Sequence, residues 1–324
     1  MPTAGEPEMN DEQYLWDGTG PVDMQVTSLE NTLAPLRYKP GLRRPRRYLA
    51  VAGALAGAIA ATIAFLAWTT MPGPDSSWEL SRSDGYEQRL RVGQQVRTTG
   101  EEAHIRSART GYLQLEPHSR LRVLGDGLET ERVALEYGAM RAVIWAPPAR
   151  FGVELPAATA VDLGCVYYLE TNREGDGRLR VEAGWVALQN NSAEAFIPAG
   201  ASARIDRATG PGIPVFDDAS EAFKAAVRSV EGEWTQAELD ALLQFARPRD
   251  ALTLWHVLQR ARGPERARVA NRFATLVRLP EGLDVDSLAG GDPQSLDAAW
   301  NALQLGSTDW WRTWKQQWQP GRSL

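Results

Sequence analysis

Three hydrophobic patterns follow one another along the 324-residue chain. Residues 48–71 form an apolar run without a charged side chain. From about residue 78 to residue 205, short runs alternate apolar and polar positions, and clusters of Gly, Asp, Asn and Pro separate them. From residue 217 onward the apolar positions recur at the helical period. The pattern therefore predicts an apolar helix, then a β-rich part, then an α-rich part.

The run from Tyr48 to Met71 is 24 residues long. As a helix it would measure roughly 36 Å, enough to cross the hydrocarbon core of a membrane. Six bases and no acid occupy residues 37–47, just before it, and the positive-inside rule then places residues 1–47 in the cytoplasm and residues 72–324 outside. The bases that fix this topology include Arg43, Arg44, Arg46 and Arg47. A core helix rarely runs so long without a polar face, and a cleaved signal peptide has a shorter leading segment, so we favour a single spanning helix.

The β-rich part predicts many short strands joined by short turns. The runs are LRVGQQVRT, AHIRSA, GYLQLEP, SRLRVL, RVALEYGAMRAVI, RFGVEL, TAVDLGCVYYLET, GRLRVEAGWVALQ and EAFIPAG. With no helical period between them, such runs are typical of a sandwich, a barrel or a β-roll. The short turns favour mostly antiparallel pairing.

Residues spread over this part resemble the FecR domain, named for the ferric-citrate regulator, in their order and spacing. The matching residues are Leu115, Pro117, Ser119, Gly138, Phe151, Val153, Pro156, Gly164, Val181, Gly184, Val186 and Gly200. Cys165 stands where many members carry Thr. The resemblance implies a FecR-like β-roll or sandwich in a bacterial inner-membrane protein. Such proteins have a cytoplasmic N-terminal segment, one membrane span and a periplasmic β domain.

The α-rich part predicts six helices of two to four turns. Thr235 and Glu238 have the spacing of a capping box, and Pro264 and Pro293 stand where first-turn prolines are allowed. Short loops imply antiparallel neighbours, so we expect a stack of helical hairpins similar to HEAT repeats. The FecR resemblance does not extend into this part.

The expected fold class is therefore a multi-domain membrane protein. It comprises a single transmembrane helix, an all-β FecR-like antiparallel domain and an all-α helical-hairpin array. The expected domains are a cytoplasmic acidic helical hairpin or tail (1–47), the transmembrane helix (48–71), a periplasmic β domain (77–210) and a periplasmic HEAT-like helical domain (217–324).

Residues with catalytic or metal chemistry are few. One Cys and three His exclude a disulfide framework and argue against a zinc site. Cys165 on an apolar strand is better explained as a small core residue than as a nucleophile. No phosphate-binding loop or nucleophile elbow is present, and the net charge of −6 argues against direct binding of nucleic acid. We expect no enzyme activity, no cofactor and no metal.

Two segments are candidate partner-binding surfaces. Near the C-terminus, Trp310, Trp314 and Trp318 share one face of a predicted helix; they either pack at the end of the helical stack or anchor an envelope protein or a glycan. Near the N-terminus, residues 1–36 carry seven acids and no base.

Residues 11–38 predict two short helices around a Gly-Pro turn. Trp16, Leu29 and Leu33 supply apolar anchors, and Asp17 and Glu30 supply negative charge. FecR proteins bind extracytoplasmic-function sigma factors through this end, so the resemblance implies a sigma-factor partner. The predicted function is a single-pass inner-membrane regulator that relays an envelope signal to such a sigma factor. The alternatives are a mostly disordered acidic tail and, for the whole chain, a membrane-tethered periplasmic scaffold without a sigma-factor role.

Overall fold

In the computed structural model, the described residues 78–126 and 130–306 form sixteen strands followed by six α-helices. The strands are β1 Trp78–Arg82, β2 Glu87–Leu90, β3 Gln95–Arg97, β4 Ala103–Ser107, β5 Gly111–Leu115, β6 Arg120–Asp126, β7 Glu131–Ile144, β8 Phe151–Glu154, β9 Thr159–Asp162, β10 Val166–Thr171, β11 Gly177–Ala183, β12 Trp185–Gln189, β13 Glu194–Pro198, β14 Ala201–Asp206, β15 Gly210–Pro211 and β16 Val215–Phe216. Every predicted run overlaps at least one of them. Apolar side chains alternate with polar ones along β4, β5 and β7, as a half-buried strand requires.

Strand β7 joins the two halves of the sheet. Its first half, residues 131–137, pairs with β6 and lies parallel to β8. Its second half, residues 138–144, pairs with β5 and β10. The predicted antiparallel pairing is confirmed for every strand pair of the described part except β7 with β8.

Strand β7 must bend back on itself, because β8 lies parallel to it and follows it after a short connection. Phe151 begins β8 only seven positions after Ile144, yet it lies opposite Glu131, at the far end of β7. A straight β7 would be about 43 Å long at ~3.3 Å per residue, whereas the connection spans at most about 25 Å. The pairing partners change at Gly138, whose φ of 99° marks the bend.

The six helices are α1 Glu221–Ser229, α2 Gln236–Phe245, α3 Ala251–Arg260, α4 Gly263–Leu276, α5 Val285–Gly290 and α6 Pro293–Ala302. The predicted capping box is confirmed, with Thr235 and Glu238 bonding each other's backbone N–H. Pro264 and Pro293 stand in the first turns of α4 and α6. The short helix α5 was not predicted.

One hydrophobic core runs under the sheet and the helices. It includes Phe151 of β8, Phe196 of β13 and Phe223 of α1 in the same cluster of buried side chains. Every residue of α3 from Ala251 to Leu258 is buried, so this helix lies inside the unit rather than at its surface. The described residues all belong to the compact unit Pro72–Leu324.

The expected fold class is therefore wrong. The described residues form an α+β unit in which a large antiparallel sheet and a few helices share a core, not an all-β domain followed by an all-α array. A HEAT-like stack leaves each helix a solvent face, and the enclosed helix α3 has none along most of its length. Among the described residues, no helix has the length and apolar character needed to span a membrane.

Several predictions fall outside the described residues. These are the domain at 1–47, the helix at 48–71 with the preceding arginines Arg43, Arg44, Arg46 and Arg47, and the last predicted helix beyond residue 306.

Candidate functional site

A groove lies where the β12–β13 hairpin meets the helices. Its volume is about 820 Å³, within the usual range for a binding cleft. Trp185 and Pro198 form its sheet side. Leu276, Leu303 and Leu305, from the ends of α4 and α6, form its helix side. The groove is thus built by segments far apart in the chain, since Trp185 and Leu305 are 120 residues apart.

An aromatic cluster forms the joint between sheet and helices beside this groove. The ring centroid of Trp300 lies 4.6 Å from that of Trp255, 5.7 Å from that of Phe196 and 5.8 Å from that of Trp185. The His256 ring lies 5.0 Å from Trp255. Edge-to-face and tilted contacts of this kind add to the stabilisation that burial alone supplies. Trp300 therefore ties α6 both to α3 and to the hairpin.

His256 links helix α3 to the edge of the sheet. Its Nδ1 donates to the carbonyl of Leu252 (2.9 Å), and its Nε2 accepts from the backbone N–H of Phe196 (3.1 Å). That N–H points away from β12, so the imidazole occupies a donor that an edge strand would otherwise leave unpaired. Burial lowers the pKa of His256 to about 3, which keeps the ring neutral and Nε2 an acceptor.

The groove lining combines apolar side chains with polar ones, including guanidinium groups at the rim. Leu276, Val277 and Leu303 are half-buried. At the rim, Arg249 forms an ion pair with Asp218 (2.7 Å), and its guanidinium also stacks on Phe216, 4.2 Å from the ring centroid. Arg278 lies exposed on the same groove. Such a surface suits an apolar or aromatic ligand better than a cationic one.

Residues of the FecR pattern meet in pairs although they are distant in sequence. Ser119 Oγ accepts a hydrogen bond from the N–H of Ala139 (2.9 Å), and a Cβ on Gly138 would collide with Ser119. In the same way, a Cβ on Gly184 would collide with the carbonyl of Gly164. Gly138, Gly164 and Gly184 all have positive φ, which glycine adopts without strain. The pattern thus marks close backbone approaches inside the sheet.

Asp162 and Cys165 form a buried polar pair at the turn between β9 and β10. The Cys165 thiol donates to Asp162 Oδ2, and the Gly164 N–H donates to Oδ1 at 2.7 Å. Burial raises the pKa of Asp162 to about 7 and holds the pKa of Cys165 well above its usual range. The thiol is 3% exposed and stays protonated, which are the properties of a structural cysteine.

A second concave surface, of about 430 Å³, lies between β11, β14 and helix α1. It is polar rather than apolar. Lys224 is paired with Glu221 (3.0 Å) and Arg204 faces Glu231 (3.8 Å). Its basic side chains are largely neutralised by its own carboxylates.

Within residues 78–126 and 130–306, no group of three or more His, Cys, Asp or Glu side chains is arranged to hold a metal ion. His104 instead contacts the Tyr112 hydroxyl through Nδ1 and Glu102 through Nε2 (3.2 Å) on the outer face of the sheet. Its ring stacks on Tyr112 with centroids 5.6 Å apart.

The partner-binding residues predicted from the sequence lie outside the described part of the chain. They are Trp16, Asp17, Leu29, Glu30 and Leu33 at one end and Trp310, Trp314 and Trp318 at the other. The sequence reasoning missed the roles of Asp162 and His256. The available signal was the same for both residues, a titratable side chain inside an otherwise apolar strand or helix, which indicates a buried and hydrogen-bonded group.

No protein-family model and no curated protein sequence matches the chain. Two crystal structures of a "putative anti-sigma factor" from Parabacteroides distasonis, at 1.65 and 2.50 Å resolution, are similar in structure. Each is 14% identical to this chain; the matches cover 42% and 43% of it, with TM-scores of 0.34 and 0.35. The chain spans 65% and 66% of the length of those proteins.

Proposed function

We propose that this protein is a sigma-factor regulator of the FecR type and that it acts by protein–protein binding. The observation that carries the proposal is the pairing of pattern residues in space. Ser119 meets Gly138, and Gly164 meets Gly184, across separate segments of the sheet. A chance likeness in sequence does not require its residues to meet. The pairing therefore supports the likeness of this sheet to a FecR domain, and the function follows from that likeness.

The proposal assigns different binding roles to two parts of the chain. Residues 1–36, with seven acids and no base, supply the contact with the sigma factor. Sigma factors present basic and apolar surfaces to DNA and to the core polymerase, and an acidic segment with apolar anchors complements such surfaces. Trp16 and Leu29 are the proposed anchors, and Asp17 and Glu30 steer the encounter.

The unit at 78–306 supplies the docking surface for the incoming signal. Its sheet and helices share one core, and the groove lies at their junction, so a ligand in the groove contacts both. This arrangement supports a binding module whose ligand is held by packing rather than by a charged site.

Binding of the 324-residue chain to extracytoplasmic-function sigma factors of the same genome tests the proposal. Trp16→Ala and Leu29→Ala are each expected to raise the dissociation constant about 30-fold, since a buried anchor contributes about 2 kcal/mol or more. The matched control is Trp145→Ala, which removes an exposed tryptophan directly after β7 and leaves the affinity unchanged.

The charged residues are tested by binding kinetics at two salt concentrations. Asp17→Lys and Glu30→Lys are expected to slow association, with an effect that shrinks at higher salt because exposed charges are screened beyond about 10 Å at 0.1 M. Absence of binding, together with unchanged sigma-dependent transcription after deletion of residues 1–36, contradicts the regulator. The scaffold without a sigma-factor role then remains.

A further inference from the structure

The groove between hairpin and helices lies where the described chain ends. Leu303 and Leu305, which follow helix α6, form part of its wall, and Gly306 is the last described residue. Gln304 (φ 56°) and Gly306 (φ 122°) have positive φ, so the chain turns after α6. The indole N–H of Trp300 donates to the carbonyl of Gly306 (3.0 Å) and fixes this turn against α6. The remaining residues therefore start at the groove.

We propose that the groove is the docking site of the chain's own C-terminal segment, residues 307–324, whose tryptophan side chains insert into it. Trp310 follows Gly306 by four residues and lies at most about 14 Å from it. The segment contains four tryptophans in nine residues, Trp310, Trp311, Trp314 and Trp318. The inference does not rest on the sigma-factor contact proposed for residues 1–36; it implies that a signal ligand reaches the groove only by displacing this segment.

The chemistry of the groove matches indole rings. Leu276, Val277 and Leu303 give an apolar wall, and a buried Trp removes about 150–250 Å² from water. The guanidinium groups of Arg249 and Arg278 at the rim can stack on an indole face. Among the described residues that line the groove there is no Asp or Glu.

Charge does not provide the attraction between the C-terminal segment and the groove. The segment carries three bases, Arg312, Lys315 and Arg322, and one acid, Asp309, and the groove rim is also basic. Packing of apolar and aromatic groups must therefore hold the segment, and added salt is expected not to weaken docking.

Tethering favours this segment over any other occupant. A connection of only a few residues gives an effective concentration in the millimolar range. A second copy of the chain, or a separate partner with an aromatic helix, has to compete against that concentration. At micromolar protein the chain's own segment is the preferred occupant.

Thiol labelling of the full-length protein tests the docking. Val277→Cys places a reactive thiol in the groove wall, and labelling by a maleimide is followed by peptide mass spectrometry, which separates it from the buried Cys165. Replacing all four C-terminal tryptophans by Ala is expected to accelerate labelling of Cys at 277 at least tenfold. Replacing them by Phe is expected to restore most of the protection.

Two controls accompany the measurement. Trp145→Ala, which removes an exposed tryptophan away from the groove lining, leaves the labelling rate unchanged. Circular dichroism verifies that each variant is folded, and hydrogen exchange at residues 274–280 and 299–305 gives an independent readout without the introduced cysteine.

Equal labelling and equal exchange with and without the four tryptophans overturn the proposal. Protection that disappears on dilution also overturns it, since it assigns the groove to a second copy. Protection that persists at all concentrations and depends on the tryptophans is the expected result.

Discussion

Asp162 and His256 are buried titratable side chains whose pKa values are shifted in opposite directions. The pKa of Asp162 is raised and the pKa of His256 is lowered. The Asp162 pKa rises to about 7 because the carboxyl is removed from water, and its two hydrogen bonds only partly oppose that. The His256 pKa falls to about 3 because the ring is buried, although its bond to Leu252 acts the other way. Each residue therefore makes the free energy of unfolding depend on pH, with opposite signs.

Asp162 destabilises the folded unit as pH rises. Its folded pKa lies above the unfolded value of 3.8, so its contribution is complete below that value and is lost as pH rises toward 7. A shift of this size corresponds to about 4 kcal/mol. In Asp162→Asn the free energy of unfolding is expected to fall less between pH 4 and pH 7 than in the wild-type protein. Urea unfolding at four pH values measures this free energy. The expectation is contradicted if the free energy of unfolding has the same pH dependence in both proteins.

His256 destabilises the folded unit as pH falls. Its folded pKa of about 3 lies below the unfolded value of 6.5, so its contribution is present above pH 6.5 and is lost toward pH 3. His256→Gln keeps an acceptor for the Phe196 N–H but does not titrate. Its unfolding free energy is expected to be lower than wild type at pH 7 and to fall less on acidification to pH 4. A variant as acid-sensitive as wild type contradicts this assignment.

At the scale of the elements, glycines set where strands end and partners change. Gly164 and Gly184 both have positive φ, but only at Gly184 would a Cβ meet backbone atoms. Gly164→Ala is therefore expected to cost about 1–2 kcal/mol from strain alone. Gly184→Ala is expected to cost more than 3 kcal/mol, because the backbone of two turns has to move as well. Chemical denaturation of both variants checks the order, and equal losses contradict the close approach at Gly184.

The strands were largely predictable because their signal is local. Alternation and turn residues located β4, β5, β6 and β7 within a few residues. The runs 159–171 and 177–189 each contain two strands, which are separated at Gly164 and at Gly184. A glycine inside an apolar run does not reveal by itself whether the chain bends, because the bend depends on which backbone lies opposite.

The site was less predictable because its parts come together only in the folded chain. The bond between Phe196 and His256 joins residues sixty positions apart. The groove needs the ends of α4 and α6 beside the β12–β13 hairpin. Leu276 and Val277 occupy apolar positions of the helical period, which is typical of a buried face, yet they lie half-buried in a groove wall.

At the scale of the whole molecule, one cluster of buried side chains connects the sheet and the helices of the described residues. Ile213 and Phe216, which follow the predicted end of the β domain at residue 210, are buried in the same cluster as the sheet and the helices. Helix α3 is enclosed, and its His256 completes an edge strand. Removing the helices would uncover apolar surface and an unpaired backbone donor. We therefore expect the sheet and the helices to unfold together.

Trp300→Ala tests this cooperativity. The side chain is 4% exposed and contacts Trp185, Phe196 and Trp255, so its loss leaves a cavity at the joint and is expected to cost about 3–5 kcal/mol. If sheet and helices form one cooperative unit, thermal unfolding monitored at a helix-sensitive and at a strand-sensitive wavelength shifts to lower temperature by the same amount. Trp145→Ala, which removes an exposed tryptophan directly after β7, is the control and should leave both transitions nearly unchanged. A variant in which only the helical signal melts early would instead establish two domains, and the aromatic cluster would then be an interface between them.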